Sequence, residues 1–309
     1  MTVLVTGGGG FVGRGVLNEA ERRGIVTRPV FRRTNLSQPA CIVVPDLAAN
    51  TDWRMALTGV QAVIHLAARV HVMAEAAKDP ITEFRRVNVE GTLQLAHQAA
   101  TSGVRRFIFM SSVKVNGEVT HAGARFAADD AAAPLDAYGV SKMEAENGLR
   151  ALAAQTGMEV VIIRPPLVYG PGVKANFAAI VNWLKCGIPL PLGAIQNKRS
   201  LVSLGNLVDL TLLCLEHPSA ANQTLMVSDG EDVSTTELLQ RLGGVMGRPA
   251  RLFKVPQVLL ELAAVVIHKP SLAQRLCSSL QVDISRTEEL LGWSPPISLD
   301  EGLRGVLSA

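Results

Sequence analysis

The first half of the chain alternates short apolar runs with longer amphipathic stretches. Runs rich in β-branched and other apolar residues occupy positions 2–5, 25–31, 42–44, 62–66, 107–110 and 160–163. Each run is almost continuously apolar, which is typical of parallel strands covered on both faces. Between most of them lie stretches with helical spacing, such as Val87, Leu93 and Leu95 within residues 80–102. The alternation predicts an α/β fold built on a doubly wound parallel sheet.

The pattern changes after Arg164, where prolines at positions 165, 166, 171, 189 and 191 interrupt a region with one predicted helix, residues 175–185. Further helices are predicted over residues 207–216, 235–242 and 256–267, and a strand over residues 201–203 that returns to the main sheet. We therefore predict a dinucleotide-binding domain over residues 1–164, with a return near residues 200–218. A smaller, mostly C-terminal α/β substrate lobe is predicted over residues 165–309.

Composition narrows the class of protein. The chain has 309 residues, 48% of them hydrophobic, and its 30 basic and 27 acidic residues give a formal net charge of +3. The basic residues are scattered rather than gathered in a stripe, which argues against a nucleic-acid partner. The longest apolar stretch, residues 258–267, contains Glu261. It is shorter than the roughly 20 residues of a membrane-spanning helix, so we interpret it as a buried or interfacial helix.

Cysteine usage and the start of the chain bear on the compartment. Cys41, Cys186, Cys214 and Cys277 are too scattered for a metal knuckle and too few for a disulfide scaffold. No metal site is therefore predicted. The chain starts without the basic leader of a secretory signal, and we expect a cytoplasmic protein.

Glycines follow the first apolar run directly. Gly7, Gly10 and Gly13 stand at the expected mouth of the first helix, with Phe11 and Val12 between the last two. Glycines allow a tight turn and close backbone approach, and a helix N-terminus offers unpaired N–H groups to a pyrophosphate. At the end of the first of several alternating strands, this arrangement predicts a Rossmann-type dinucleotide site formed by residues 7–13.

The end of the second run is where the adenosine ribose of such a cofactor would be recognised. Arg32 and Arg33 stand there, and the next acidic residue is Asp46. A carboxylate at this place would bind the 2′-hydroxyl of NAD, whereas guanidinium groups match a 2′-phosphate. The two arginines thus favour NADP(H), with NAD(H) as the alternative.

A catalytic group is predicted from Ser112, after the fifth run, and from Tyr138 and Lys142, spaced i, i+4. On a helix this spacing places the Cβ atoms roughly 6 Å apart, so we expect the ammonium to lower the pKa of the phenol toward neutrality. Tyr138 would then move a proton to or from an alcohol oxygen while hydride moves to or from nicotinamide. Ser112 would hold the same oxygen, and Lys142 would also contact the nicotinamide ribose.

With these motifs the chain resembles the extended short-chain dehydrogenase/reductase superfamily, in particular its nucleotide-sugar epimerases, dehydratases and reductases. The resemblance covers nearly the whole chain and is carried by residues 6–13, 46–47, 65–68, 88–92, 111–112, 138–142, 164–171 and 291–293. It implies a UDP-sugar substrate. Relatives often form homodimers through paired helices, so a homodimer is a further expectation.

The resemblance also implies roles for individual residues. Asp46 and Leu47 would line the adenine. Leu66, Ala67 and Ala68 would contact the cofactor, the two alanines at its ribose and phosphates, and Pro165 would contact the nicotinamide. On the substrate side, Asn176 and Arg199 fall where relatives contact the nucleotide-sugar diphosphate, and a guanidinium suits phosphate. His71, in the loop after the fourth strand, is a candidate contact to the sugar.

Departures from the family pattern bear on the reaction. The 4,6-dehydratases carry an Asp-Glu pair just after the serine or threonine, and here Val113 and Lys114 stand in that place, which disfavours dehydration. Lys114 faces either a phosphate or solvent. Where relatives often have Val-Tyr-Gly, this chain has Asn116 in place of the tyrosine, so that substrate contact is open.

Two reactions at C4 of the sugar remain. A 4-epimerase regenerates its cofactor and usually retains NAD, whereas a 4-ketoreductase consumes an exchangeable reductant. Arg32 and Arg33 favour the reductase, and the motifs most resemble bacterial enzymes that reduce UDP-4-keto-6-deoxy-N-acetylhexosamines. A UDP-hexose 4-epimerase is the alternative. A reductase of apolar ketones would have little use for Arg199, and a non-enzymatic NADP-binding regulator would not need the catalytic group.

Overall fold

The computed structural model describes residues 1–33, 41–70, 79–173, 176–266 and 270–307. A seven-stranded, all-parallel sheet with the order β3-β2-β1-β4-β5-β6-β9 forms its centre. Its strands are β1 (Thr2–Thr6), β2 (Val26–Phe31), β3 (Ile42–Val43), β4 (Ala62–His65), β5 (Arg106–Met110), β6 (Glu159–Arg164) and β9 (Thr224–Met226). The predicted Rossmann-type doubly wound sheet is confirmed, and the first six apolar runs supply its first six strands in chain order.

A second sheet of three strands has the order β10-β8-β7. Its strands are β7 (Leu167–Tyr169), β8 (Arg199–Ser203) and β10 (Asp232–Val233). The predicted return of residues 201–203 to the main sheet is wrong, because Leu201 and Val202 pair with β7 instead. The return strand is β9, which pairs with β6.

Helices cover both faces of the main sheet and build the second lobe. In chain order they are α1 (Phe11–Arg22), α2 (Arg54–Leu57), α3 (Pro80–Phe84), α4 (Gly91–Thr101), α5 (Ala137–Thr156), α6 (Asn176–Lys185), α7 (Leu204–Leu213), α8 (Thr235–Val245), α9 (Gln257–Val266), α10 (Pro270–Cys277), α11 (Ser285–Leu291) and α12 (Leu299–Leu307). A π-helical segment, Arg85–Glu90, joins α3 to α4. None of the described helices is long and apolar enough to cross a membrane.

Side chains that alternate along the central strands divide the core in two. On one face of the sheet Val3 and Val5 pack with Leu207 and Leu210 of α7. On the other face Leu4, Phe107 and Phe109 belong to a second cluster with residues of α4 and α5, such as Leu95 and Leu149. A third cluster fills the second lobe. The carboxyl ends of the parallel strands are thereby held at one edge of the sheet, where ligands of such folds bind.

Candidate functional site

Two glycines of the turn after β1, Gly7 and Gly13, have no room for a side chain. Gly7 has a φ of 71°, and a Cβ there would lie 2.8 Å from the backbone nitrogen of Ala67. A Cβ on Gly13 would lie 2.1 Å from the carbonyl oxygen of Gly7. Gly10 is the N-cap of α1 and offers no side-chain oxygen to the first N–H groups. Those groups point from the helix N-terminus into the turn, as a pyrophosphate site requires. Phe11 and Val12, the first two residues of α1, are half-buried beside it.

The end of β4 forms the opposite wall of this cradle. Leu66, Ala67 and Ala68 are half-buried, and the N–H of Ala67 donates to the Thr6 hydroxyl at 3.3 Å. The neighbouring His65 is fully buried between the hydroxyls of Thr6 at 2.7 Å and Thr92 at 3.0 Å. The structure thus brings residues 66–68 next to the glycine turn, as expected of cofactor contacts.

The adenosine end of the cleft is open to solvent. Arg32 and Arg33 directly follow β2 and are exposed, and neither forms an ion pair with another residue in the described part of the chain. Asp46 is exposed as well. Its carboxylate accepts from the N–H of Leu47 at 2.9 Å and forms an ion pair with Arg86 at 2.6 Å. The carboxylate that the resemblance assigns to adenine is therefore already engaged by a guanidinium, a pairing that sequence reasoning missed.

Ser112, Tyr138 and Lys142 are brought together at the carboxyl end of β5. Ser112 is the N-cap of a short 3-10 turn, Val113–Val115, where its hydroxyl accepts from the N–H of Lys114 at 3.2 Å. The Ser112 hydroxyl is also near enough to the phenol of Tyr138 to act against the rise in its pKa. The Lys142 Nζ lies 5.9 Å from the centroid of the Tyr138 ring. Helix α5 positions both residues, because Asp136 caps its N-terminus by accepting from the N–H of Gly139 at 2.7 Å. The three side chains form one group.

The ionisation of this group differs from the sequence expectation. Burial, and secondarily the carboxylate of Asp136, raises the pKa of Tyr138 to about 12. Burial lowers the pKa of Lys142 to about 7, and the carboxylate of Glu146 opposes this. The phenol is therefore not shifted toward neutrality. The physical reason is that burial of the phenol and the Asp136 carboxylate both disfavour the phenolate. The Lys142 ammonium is engaged elsewhere, since it is 2% exposed and donates to the carbonyl of Met110 at 2.8 Å, with its Nζ 4.4 Å from the Phe109 ring centroid.

A buried ion pair lies one helical turn beyond Lys142. Glu146 is fully buried and accepts from Arg164 at 2.6 and 2.9 Å, from Arg150 at 2.9 Å, and from the Ser111 hydroxyl at 2.5 Å. It thus joins helix α5 to the ends of β5 and β6. Sequence reasoning missed Glu146, although an acidic residue at i+4 from Lys142, between the buried Ala145 and Leu149, was a visible signal.

Asn88 supports the other flank of the group. It lies in the π-helical segment, is 1% exposed, and donates to the Ser141 hydroxyl at 3.0 Å and to the Arg69 carbonyl at 3.0 Å. Ser141 donates in turn to the Tyr138 carbonyl at 2.8 Å. Single turns of π-helix often mark functional sites, and here the turn carries the amide that braces the first turn of α5.

Lys114 and Asn116 follow Ser112, and the sequence left the contacts of both side chains open. Lys114 forms ion pairs with Glu118 at 2.8 Å and with Asp136, so it is neither solvated alone nor directed at a phosphate in this state. Asn116 is 3% exposed, accepts from Arg164 at 3.0 Å and donates to the Ala127 carbonyl at 2.9 Å. Asn116 is therefore part of the buried network and makes no contact suited to a substrate.

Three further residues were predicted to contact the cofactor or the substrate: Pro165, Asn176 and His71. The structure describes the surroundings of Pro165 alone. Pro165 follows β6, is buried, and accepts from the N–H of Val113 at 3.0 Å, which places it beside Ser112. Asn176 begins α6, and its side chain lies outside what the structure describes. His71 lies outside the described residues altogether.

Arg199 begins β8 in the second lobe. Its guanidinium donates to the carbonyls of Ser278 at 3.0 Å and Arg275 at 3.3 Å, at the C-terminal end of α10. Burial lowers its pKa, and among the described residues no carboxylate pairs with it. A half-buried guanidinium compensated only by carbonyl dipoles keeps its positive charge available for an anionic ligand.

Comparisons with known proteins agree with this geometry. Residues 3–228 match the model of the NAD dependent epimerase/dehydratase family. The chain is 48% identical to UDP-glucose 4-epimerase of Vibrio cholerae over 311 residues, which span 100% of this chain and 95% of that one. It is 27% identical to GDP-6-deoxy-D-mannose reductase of Pseudomonas aeruginosa, over 99% and 96% of the two chains. The solved structure of UDP-glucuronic acid 4-epimerase from Bacillus cereus in complex with NAD superposes with a TM-score of 0.80 at 21% identity, covering 100% and 96%.

Proposed function

Because the chain belongs to the NAD-dependent epimerase/dehydratase family and is an enzyme of the nucleotide-sugar short-chain dehydrogenase/reductase kind, we propose that it reduces the C4 ketone of a UDP-sugar with NADPH. The substrate we assign is a UDP-4-keto-6-deoxy-N-acetylhexosamine. The observation that carries the proposal is the grouping of Ser112, Tyr138 and Lys142 at the end of β5, with the Lys142 Nζ 5.9 Å from the centroid of the Tyr138 ring. The group lies at the same edge of the sheet as a turn shaped for a dinucleotide.

The residues present fit the cofactor, since the turn at Gly7 and Gly13 admits no side chain and α1 presents its free N-terminus there. When bound, NADPH supplies the hydride that adds to C4. Tyr138 keeps its proton at neutral pH because its pKa is raised, so its phenol would donate that proton to the C4 oxygen as the carbonyl becomes an alcohol. The Ser112 hydroxyl would bind the same oxygen.

Dehydration is not part of the proposal. Eliminating water needs an acid and a base next to the reacting carbons, and the two positions after Ser112 are Val113 and Lys114. Val113 is buried, and Lys114 is held by two carboxylates. Neither side chain supplies a base.

The preference for NADP(H) rests on Arg32 and Arg33, which stand exposed after β2 where the 2′ substituent is recognised. Asp46, the next acidic residue, is paired with Arg86. The other cofactor contacts we propose are Asp46 and Leu47 at the adenine, Ala67 and Ala68 at the ribose and phosphates, and Pro165 at the nicotinamide. Leu66, just before the two alanines, is a further proposed contact to the cofactor.

The substrate diphosphate is assigned to Arg199, whose guanidinium is half-buried and, among the described residues, is held by carbonyl groups and by no carboxylate. Asn176 and His71 complete the proposed substrate contacts. Arg199→Ala should weaken UDP binding roughly tenfold or more, because a charge-assisted phosphate contact contributes about 1.5–3 kcal/mol. NADPH affinity should stay unchanged. The control is Lys198→Ala, an exposed neighbour paired with Glu237, which should bind UDP like the wild type.

Epimerisation at C4 is the second candidate, favoured by the 48% identity to UDP-glucose 4-epimerase of Vibrio cholerae. In that reaction Tyr138 would take the proton of the C4 hydroxyl and later return it, so the cofactor is regenerated. Arg32 and Arg33 are the reason that we rank epimerisation second. They favour NADPH, which a reductase consumes as an exchangeable reductant, whereas an epimerase retains its cofactor and regenerates it.

One experiment separates the two reactions. The protein is incubated with NADPH and a UDP-4-keto-6-deoxy-N-acetylhexosamine, and separately with UDP-glucose and NAD, while absorbance at the nicotinamide band and the sugar products are followed. We expect stoichiometric loss of NADPH with the keto sugar. Interconversion of UDP-glucose and UDP-galactose without net cofactor loss, together with no reaction of the keto sugar, would replace the reductase by the epimerase.

A further inference from the structure

Helix α9 presents a broad apolar face to solvent. Val258, Leu259, Leu262, Val265 and Val266 are between 54% and 75% exposed, and we call these five side chains the α9 face. At about 100° of rotation per residue they fall within an arc of about 120°. Leu260 and Ala264, on the opposite side of the helix, are the side chains turned toward the lobe. A helix that is apolar on both sides is expected in a protein core or at a membrane.

The apolar surface extends beyond the helix. Phe253 is 50% exposed just before α9, and Ile188 is 48% exposed on the neighbouring segment. The two segments are joined backbone to backbone, since the N–H of Leu190 donates to Arg251 at 2.9 Å and that of Phe253 donates to Leu190 at 3.0 Å. Leu190, Leu252 and Leu260 belong to the same apolar cluster, so these segments neighbour α9. Exposed apolar side chains grouped on neighbouring segments are typical of an interaction site in a folded protein.

The segments next to this surface carry exposed basic side chains. Lys185, Arg248, Arg251 and Lys254 are all exposed, and the Arg248 guanidinium donates to the Lys185 carbonyl at 2.8 Å. Residues 183–193 and 246–266 contain these four basic residues and one acidic residue, Glu261. The two segments therefore carry a net charge of +3. The charged residues of these two segments are thus predominantly basic.

We propose that the α9 face binds the surface of a bilayer rich in anionic phospholipids, with the helix lying in the plane of the interface. An amphipathic helix of this type buries its apolar side at the boundary of headgroups and acyl chains. Each Lys or Arg near an anionic surface contributes attraction of its own. Glu261 accepts from Gln257 at 2.8 Å on one flank of the helix and so does not interrupt the apolar arc.

A second copy of the chain fits this surface less well. A twofold contact through the α9 face would bring together two rims that each carry the same net +3, and like charges across an interface are unfavourable. An anionic bilayer satisfies the apolar side chains and the basic rim at once. Dimerisation is therefore the competing outcome of the test.

The test is flotation of the full-length protein with vesicles of phosphatidylglycerol and phosphatidylethanolamine, compared with vesicles of phosphatidylcholine alone. We expect the wild type to float with the anionic vesicles, and less so as salt is raised. Leu259→Ser/Leu262→Ser should lower the partition constant about tenfold or more, from loss of apolar burial. Arg251→Glu/Lys254→Glu should lower it about thirtyfold or more at low salt, at about 1 kcal/mol for each basic residue.

The matched control is Met55→Ser/Val26→Ser, which removes two side chains that are 85% and 60% exposed on the other lobe, and it should float like the wild type. Thermal melts of all variants establish folding independently of turnover, so the proposed reaction does not enter the result. The proposal is overturned if the wild type stays with the unbound protein. It is also overturned if the α9 variants float equally well, or if light scattering shows a wild-type dimer that these variants convert to monomers without any vesicle binding.

Discussion

The two ends of the cofactor cleft are built in opposite ways. At the catalytic end, Lys142 and Glu146 are almost completely buried and every charged atom has a fixed partner. At the adenosine end, Arg32, Arg33 and Asp46 are exposed, and the ion pair between Asp46 and Arg86 lies at the surface. Burial at the first end sets the pKa values that proton transfer depends on. Exposure at the second end leaves recognition of the cofactor to a few side chains that can change without disturbing the core.

The largest effect is expected at the buried end, from Tyr138→Phe. The substitution keeps the ring and its edge contact with Phe84 but removes the hydroxyl, so turnover should fall about 10²–10⁴-fold. Single-turnover oxidation of NADPH with the 4-keto sugar measures it, alongside a thermal melt and a cofactor titration that should match the wild type. A folded variant with more than about a tenth of the wild-type rate would remove Tyr138 from the mechanism.

Glu146→Gln should cost the most stability. Removing this carboxylate leaves Arg164, 3% exposed, without its ionic partner, and breaking a buried pair costs about 3–5 kcal/mol. The pH above which activity falls should also move lower, since the Glu146 carboxylate raises the pKa of Lys142. Urea unfolding and a pH–rate profile provide the two readouts.

Glu144→Gln is the matched control for this change. Glu144 lies on the same helix and pairs with the half-exposed Arg85, and surface pairs of this kind contribute about 0–1 kcal/mol. Equal losses of unfolding free energy in the two variants would mean that the buried Glu146 ion pair stabilises the protein no more than a surface pair does.

A smaller effect, on the pH dependence of the unfolding free energy, is expected for Lys142→Met. Burial lowers the pKa of Lys142 in the folded protein to about 7 from 10.5, so the unfolded chain binds more protons between these values and wild-type stability rises with pH across that window. The variant lacks this contribution. The unfolding free energy of the wild type relative to Lys142→Met should therefore increase from pH 7 to pH 10, by about 2–4 kcal/mol. Lys198→Met, at an exposed lysine, should show no such trend, and a flat difference for Lys142→Met would contradict the burial effect.

The smallest change in free energy is expected at the exposed end. Wild-type protein should bind NADPH about tenfold or more tightly than NADH, since a charge-assisted phosphate contact contributes about 1.5–3 kcal/mol. Arg32→Ala/Arg33→Ala should abolish this preference without lowering the melting temperature. Arg22→Ala/Arg23→Ala removes another adjacent pair, held by Glu19 and Asp209, and should leave the preference intact. Equal affinities in the wild type would refute the role of the two arginines.

The same contrast explains what the sequence could predict. The first six strands are continuous apolar runs, so their positions could be predicted closely. Strand β9, Thr224 to Met226, lies in the second half of the chain, where the alternation of apolar runs and helical stretches has ended. Residues 201–203 look like a buried strand but pair in the other sheet. An apolar run predicts that a strand is buried, and it does not specify which strand lies beside it.

At the site, motif spacing predicted which residues meet but not their ionisation. The i, i+4 spacing of Tyr138 and Lys142 predicted their shared helix face, and the structure places them there. The pKa direction of Tyr138 was wrong because spacing carries no information on depth. Desolvation and the Asp136 carboxylate both raise the pKa of the phenol. The role of Asn116 in the Arg164 network was also beyond sequence reasoning, since its partners are brought from distant parts of the chain.

The fit of Gly13 against the Gly7 carbonyl has a consequence for how this protein can diverge. In a library that samples every amino acid along the run from Gly7 to Gly13, folded members should keep glycine at these two positions, because an added Cβ would overlap backbone that cannot move aside. Gly9 lies in the same run with its nearest neighbours at 3.4 Å, on the Phe31 ring, and without a positive φ. It should accept alanine or serine. The segment from Gly7 to Gly13 is therefore uneven in mutational tolerance, and homologues are expected to vary at Gly9 while Gly7 and Gly13 stay unchanged.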